Sequence, residues 1–493
     1  HFPGRVRQIP GRGSSRKLAW YNNYMQVIGR NIFALALSRI TSGVILFVVQ
    51  AKLADYLGPH DFGKYSLVIA FYVIFSLFVD FGMSRYVIKK VSEDKSAIHT
   101  YHGNFLIAQF FLAAVLFLLF IFIPRFAGYG QDVGRAMIYA GSGLLFAAMS
   151  IPAVTIIHAW QKIHLFAAVI FLESLAKAGW FAFAIASGAD LVFVFKIYLY
   201  VGILDVLIYY LIIRNITRPK FTVDRLVMKS MFLFGLPFAM ISGFEMLVAK
   251  IDTVLLKIFL PYSQVGLYSA AYRFLDFLTF LPAIVALSLF PYFSEKQDLR
   301  DTESAELINQ ITRYLVMLAL PLGIGVTILA DKIILPLFGP AYEGSVLPFQ
   351  ILIWSTVITL LYAVPNVIMQ VKMTRNSIFI LAGATMFNVI ANWIFIPQYG
   401  IIASAYITVL SYILVAALYI YYSRRLAEFI FWSYASWPAI ASAVMGAVLW
   451  LGRDWNILVL ALLAPVIYFG FLLAVGYLNK KDWEFIRSIR PAS

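Results

Sequence analysis

The chain has 493 residues, of which 62% are hydrophobic, 17% aromatic and only 13% charged, with a net charge of +15 and no cysteine. Soluble domains carry about 25% charged residues, so the composition excludes that class. The lack of cysteine excludes a disulfide framework, a thiolate metal site and a cysteine nucleophile. Long apolar runs split by short polar turns predict an all-α polytopic membrane protein, because the short alternating strands of a β-barrel could not produce them.

The first 24 residues, HFPGRVRQIPGRGSSRKLAWYNNY, precede the first methionine, Met25, and are set aside from functional reasoning as an N-terminal cytoplasmic tail. About fourteen spans follow, at roughly 27–49, 65–88, 102–123, 135–158, 163–186, 191–213, 231–258, 265–290, 311–330, 346–370, 377–396, 401–422, 433–451 and 456–478. If the N-terminus is cytoplasmic, the loops of the opposite side carry only Lys52, Lys64, Arg125, Arg135, Lys332 and Arg453. Most of the remaining Lys and Arg fall in loops on the cytoplasmic side, so both termini are predicted there. The basic balance then reflects topology and contact with anionic lipids, and nucleic acid is not needed to explain it. No loop is long enough to fold as a soluble catalytic domain, and HExxH, Walker and GxSxG motifs are absent. The expected function is non-enzymatic, without a cofactor, and works inside the membrane.

Two stretches repeat. LGPHDFGKYSLV (57–68) and LPYSQVGLYSAA (260–271) each carry a Gly before a Tyr-Ser pair and then a long apolar helix. Six spans separate them, so both copies share one orientation, as in parallel repeats with a substrate site between two lobes. The predicted organisation is an N-lobe at 25–213, a cytoplasmic linker at 214–230, a C-lobe at 231–422 and two appended helices with a tail at 423–493.

Charge inside the spans is uneven. Span 1 holds Arg39; span 2 holds Asp80 and Arg85; span 5 holds Glu173 and Lys177; span 6 holds Lys196 and Asp205. Span 7 holds Glu245, Lys250, Asp252 and Lys257, and span 8 holds Arg273 and Asp276. Each charge costs roughly 2.5–3.5 kcal/mol at mid-membrane and needs a partner, water or an escape to the interface. Spans 1, 2, 7 and 8 correspond under the repeat and are expected to line a shared hydrated cavity. Counted from residue 27, Arg39 lies roughly 18 Å deep, either as a cationic contact for an anionic substrate or as an ion pair with Asp80. Arg273 and Asp276 are three apart on one face, which fits substrate contact or mutual neutralisation equally. Glu173 and Lys177 have the spacing of an internal pair, while Glu245 and Asp252 share a face and could carry a coupling proton or sodium ion. Asn388 and Asn392 are placed to bond a neighbouring helix or a glycan. Pro237, Pro282, Pro321 with Gly323, and Pro365 are expected kink points.

The stretches 53–92, AKIDTVLLKIFLPYSQVGLYSAAYRFLDFLTFLPAIVALSLFPYFS (249–294) and FIPQYGIIASAYITVLSYILV (395–415) resemble the polysaccharide-type, Wzx-like O-antigen flippases of the multidrug/oligosaccharidyl-lipid/polysaccharide exporter superfamily. That resemblance implies a cationic central cavity and alternating-access transfer of a polyprenyl-diphosphate-linked oligosaccharide, for example on undecaprenyl diphosphate, to the outer leaflet. It carries a substrate contact over to Arg39; the charges inside the spans add Arg273, Lys250, Asp80 and Asp276 as expected substrate contacts and Glu245, Asp252 and Glu173 as expected ion-coupling residues. The implied setting is a monomer in the inner membrane of a prokaryote, working with a polymerase and other polysaccharide assembly proteins. The alternatives in the same superfamily are lipid II flippases and ion-coupled multidrug exporters. Lipid II flippases typically place an Arg-Asp pair in the first helix, whereas Arg39 is followed by Ile40.

Overall fold

The computed structural model describes residues 14–218, 220–296, 298–429, 431–478 and 482. Among the described residues the regular structure is entirely helical. Twelve stretches are long and apolar enough to cross a membrane. Two of them fold back at a glycine in the left-handed region, Gly58 (φ 67°) and Gly400 (φ 63°), so the described residues make fourteen crossings. A Cβ at either glycine would meet open space. The backbone conformation, not crowding, therefore selects glycine there.

In chain order the crossings are α1 (14–57), α2 (59–93), α3 (Ile98–Phe126), α4 (Gln131–Ala159), α5 (Ile163–Ala186), α6 (Leu191–Arg214) and α7 (Arg225–Phe259). Then come α8 (262–295), α9 (Thr302–Phe338), α10 (346–372), α11 (374–399), α12 (401–423), α13 (Phe431–Leu451) and α14 (Ile457–Ala474). All fourteen overlap the predicted spans. Helix α1 already runs from Ser14, inside the stretch read as a tail, while residues 1–13 of that tail lie outside the described residues.

Three crossings are interrupted. Helix α8 breaks at Thr279 and α10 at Tyr362, each three residues before a predicted kink proline, Pro282 and Pro365. A proline cannot donate to the carbonyl four residues back, and its ring crowds it. Pro237 and Pro321 instead stay within helices that continue through them. The third break, in α2 at Phe81 (φ 46°) and Gly82 (φ 70°), has no proline.

Helices α1–α6 pack among themselves, chiefly α4 on α6, α1 on α5 and α3 on α4. Helices α7–α12 form a second set, and α13 and α14 attach to it through α9. The sets meet along a seam of α1 and α2 against α7 and α8. At the end predicted to be external, a Cβ on Gly63 would lie 1.9 Å from the Tyr262 carbonyl oxygen, and one on Gly266 would lie 1.9 Å from that of Pro59. Gly63 corresponds to Gly266 and Pro59 to Tyr262 in the sequence repeat, so the contact is reciprocal, as a local two-fold axis requires. Tyr342 seals the same end by donating to the Ala54 carbonyl at 2.7 Å. At the other end Gly82 of α2 and Gly235 of α7 approach backbone to backbone.

Candidate functional site

Midway along the seam, Asp276 of α8 collects two cations. Lys250 of α7 donates to it at 2.6 Å, and Arg273, one turn before it on α8, stands 3.7 Å away. The i,i+3 spacing on a helix makes the second contact geometrically available. Two positive charges on one carboxylate leave a net charge of +1. Arg273 also crosses the seam, its guanidinium lying over the rings of Phe62 and Tyr65 of α2 at 5.8 and 5.7 Å. Lys250 faces the Tyr272 ring at 4.5 Å. The aromatic faces support the cations without neutralising them.

Beside this cluster lies a space of about 20 Å³, lined by Ser66, Ala70, Lys250, Thr253, Ser269 and Arg273 among others. That is room for a water molecule. The hydroxyls of Ser66 and Ser269 are buried and have no hydrogen-bond partner among the described residues. These two serines belong to the repeated Tyr-Ser pairs. The repeat thus brings matching hydroxyls, unpaired among the described residues, to the seam. Asp276 also borders a second cavity of about 90 Å³ between α7, α8, α10 and α12, next to the α8 break.

Arg39 stands apart. It is exposed, and among the described residues it has no hydrogen bond or ion pair. Its neighbour Ser38 donates to the Ala167 carbonyl, only four residues into α5 from the end predicted to be cytoplasmic. The depth counted from residue 27 therefore overstates its burial, because α1 starts well before the membrane boundary. On α1, Phe47 meets Phe274 of the antiparallel α8 edge-on at 4.6 Å, which puts Arg39 about two turns, roughly 12 Å, from the level of Arg273.

Asp80 is not Arg39's partner. Its carboxylate accepts from the Ser84 amide and hydroxyl at 3.2 and 2.7 Å and from Gln109 of α3 at 3.0 Å. From two residues before the N-cap, Gly82, it satisfies a first-turn amide of the helix that resumes after the Phe81–Gly82 break. Glu173 and Lys177 form the internal pair that their spacing predicts. Asn388 donates to Ser411 of the next helix at 3.1 Å, which is the interhelical bond and not a free glycan contact.

Glu245 accepts from Gln370 at 3.0 Å. Asp252 is fully buried, accepts from Tyr268 and from the Thr253 amide, and lies 3.4 Å from the Thr408 hydroxyl. Among the described residues no ion pair reaches it. Among the described residues, Asn392 of α11 leaves a buried oxygen without a partner, and Ser404 of α12 borders the Tyr268 hydroxyl. The sequence marks Tyr268 only as part of the repeat and does not mark Thr408, since a hydroxyl's partner across the fold leaves no local signal.

Fold and site together define a multi-pass helical membrane protein whose two helix sets meet along a seam that holds the Lys250–Asp276–Arg273 cluster. The chain belongs to the polysaccharide biosynthesis protein family, whose model matches residues 28–297. It is 23% identical over 433 residues to the probable low-salt glycan biosynthesis flippase Agl15 of Haloferax volcanii, covering 86% of this chain and 89% of that one. Its fold matches that of the lipid II flippase MurJ in an inward closed conformation, with a TM-score of 0.72, 14% identity and coverage of 89% and 97%. An inward-facing multidrug resistance MATE transporter of the MOP superfamily is similar at a TM-score of 0.59, 14% identity and coverage of 79% and 97%. The resemblance to polysaccharide-type flippases read from the sequence therefore stands.

Proposed function

We propose that the protein is a flippase that moves a polyprenyl-diphosphate-linked oligosaccharide, an O-antigen-like repeat unit, from the cytoplasmic to the external leaflet by alternating access. The observation that carries this reading is the Lys250–Asp276–Arg273 cluster at the seam, where two cations share one carboxylate. An anionic group can take over donors that Asp276 only partly satisfies, and Arg273 offers the forked geometry that suits a diphosphate. Similarity to a glycan biosynthesis flippase supports the lipid-linked glycan as cargo. Arg39, unpaired and near the cytoplasmic end, would meet the diphosphate first and pass it inward. Export of cationic drugs is the weaker reading, because two cations to one carboxylate in the Lys250–Asp276–Arg273 cluster disfavour a cationic cargo there.

Reconstitution tests this. Proteoliposomes containing a fluorescent polyprenyl-diphosphate oligosaccharide should show transfer between leaflets with no change in the lipid's covalent structure. Arg273→Gln should slow transfer roughly tenfold or more, the worth of one charge-assisted contact. Transfer that is unchanged in this variant, with normal protein levels, would remove the cluster from substrate binding.

Energy coupling belongs to the second helix set in this reading. Asp252, with Tyr268, Thr408, Ser404 and the buried oxygen of Asn392, offers oxygen donors suited to a proton or sodium ion. Asp252→Asn should abolish the response of transfer to an imposed sodium or proton gradient while leaving gradient-free exchange. A gradient response as large as that of the unaltered protein would exclude Asp252 from coupling.

A further inference from the structure

Away from the seam, two clefts have polar walls, and they differ in charge. At the end predicted to be external, a cleft of about 720 Å³ sets Asp331 and Asp454 against Lys332 and Arg453, a balanced lining. At the opposite end, a cleft of about 310 Å³ is lined by Asp298, Leu299, Arg300, Lys372, Arg425 and Leu426. Three cations there face one carboxylate. They come from three separate places: the loop between α8 and α9, the end of α10 and the turn after α12. An excess of basic residues on one side of a membrane protein accounts for their presence but not for their convergence on one cavity.

The neighbouring acids are already engaged. Asp298 accepts from the backbone amide of Arg300 at 2.9 Å. Asp301 and Glu303 are drawn to Lys296, at 3.2 and 2.9 Å. The cleft's cations have only neutral partners among the described residues. Arg300 donates to the Arg425 carbonyl at 2.8 Å, and Lys372 donates to the Lys296 carbonyl. The Arg425 guanidinium lies over the rings of Tyr421 and Tyr422 at 5.7 and 5.4 Å. These contacts anchor the three side chains and leave most of their N–H donors unused.

We propose that this cleft is a binding site for a phosphate-bearing anion, separate from the seam. A phosphate has three or more oxygens to share, and two guanidiniums with one ammonium supply the matching forks and point charge. Two sources present this chemistry at the site: the headgroup of an anionic lipid of the adjoining leaflet, and a soluble phosphate. The site does not depend on the transport reading, since its test measures binding alone.

The experiment uses the purified full chain in detergent. Native mass spectrometry follows retention of phosphatidylglycerol against phosphatidylcholine, with inorganic pyrophosphate as the soluble competitor. Phosphatidylglycerol should be retained in preference, and Lys372→Gln should weaken its binding roughly tenfold. Arg425→Lys keeps the charge but loses the fork, so it should fall between the two and serves if Lys372→Gln does not fold. Displacement by pyrophosphate assigns the site to soluble phosphates as well; retention against it assigns the site to the lipid. Equal retention of both lipids, or a loss no greater than that of the control Lys332→Gln, overturns the proposal.

Discussion

A carboxylate shared by two cations competes with any anion that approaches them. Asp276 holds Lys250 at 2.6 Å and Arg273 at 3.7 Å, and the longer contact is the one more easily given up. Neutralising the carboxylate removes the competitor, so Asp276→Asn should bind a diphosphate several-fold tighter and release it more slowly. In the reconstituted assay the half-saturating lipid concentration should fall while the maximal rate also falls; a rise in both would contradict the competition. Arg273, Asp276 and Lys250 were all visible in the sequence as charges out of place in apolar runs. Their connectivity was not. The i,i+3 pair on α8 could be read from spacing, whereas the stronger bond, from Lys250 on α7, depends on how two helices pack. Arg39 shows the reverse limit, since its place in the run was clear but its depth had to be measured against α5.

At the scale of helices, the reciprocal crossing of α2 and α8 decides how closely the two sets meet. A Cβ on Gly63 would sit 1.9 Å from a backbone oxygen, and a backbone atom cannot swing aside as a side chain can. Gly63→Ala should therefore hold this end of the seam open. The chain has no cysteine, so a single cysteine placed at Leu57 or Leu260 reports the change directly. Labelling by a membrane-impermeant maleimide added outside should rise several-fold in the Gly63→Ala background, and unchanged labelling would show that the contact is not a closure. The 203-residue spacing of the repeated Gly-x-Tyr-Ser made the correspondence of these glycines legible. The breaks at Thr279 and Tyr362 were foreshadowed by prolines. The break at Phe81–Gly82 was not, because it lies where Gly235 of α7, more than 150 residues away along the chain, packs against the backbone.

For the whole molecule, the seam joins helices from both sets through aromatic contacts that would have to separate in each cycle. Phe47 of α1 lies edge-on to Phe274 of α8 at 4.6 Å and 5.3 Å from Phe277. Burying such rings stabilises the closed seam by a few kcal/mol at most, which thermal motion and substrate binding can overcome on the timescale of transport. A covalent bridge cannot be overcome in this way. Replacing Phe47 and Phe274 by cysteines and joining them with a short bismaleimide should stop transfer of the lipid-linked oligosaccharide, while each single variant treated identically retains it. Alternating access requires this outcome, since the substrate's polar head is too large for the roughly one-water space beside Arg273 and can pass only if the two sets move apart. Transfer that persists in the fully bridged protein would mean that the glycan travels along another surface, and the charge cluster at the seam would then be structural.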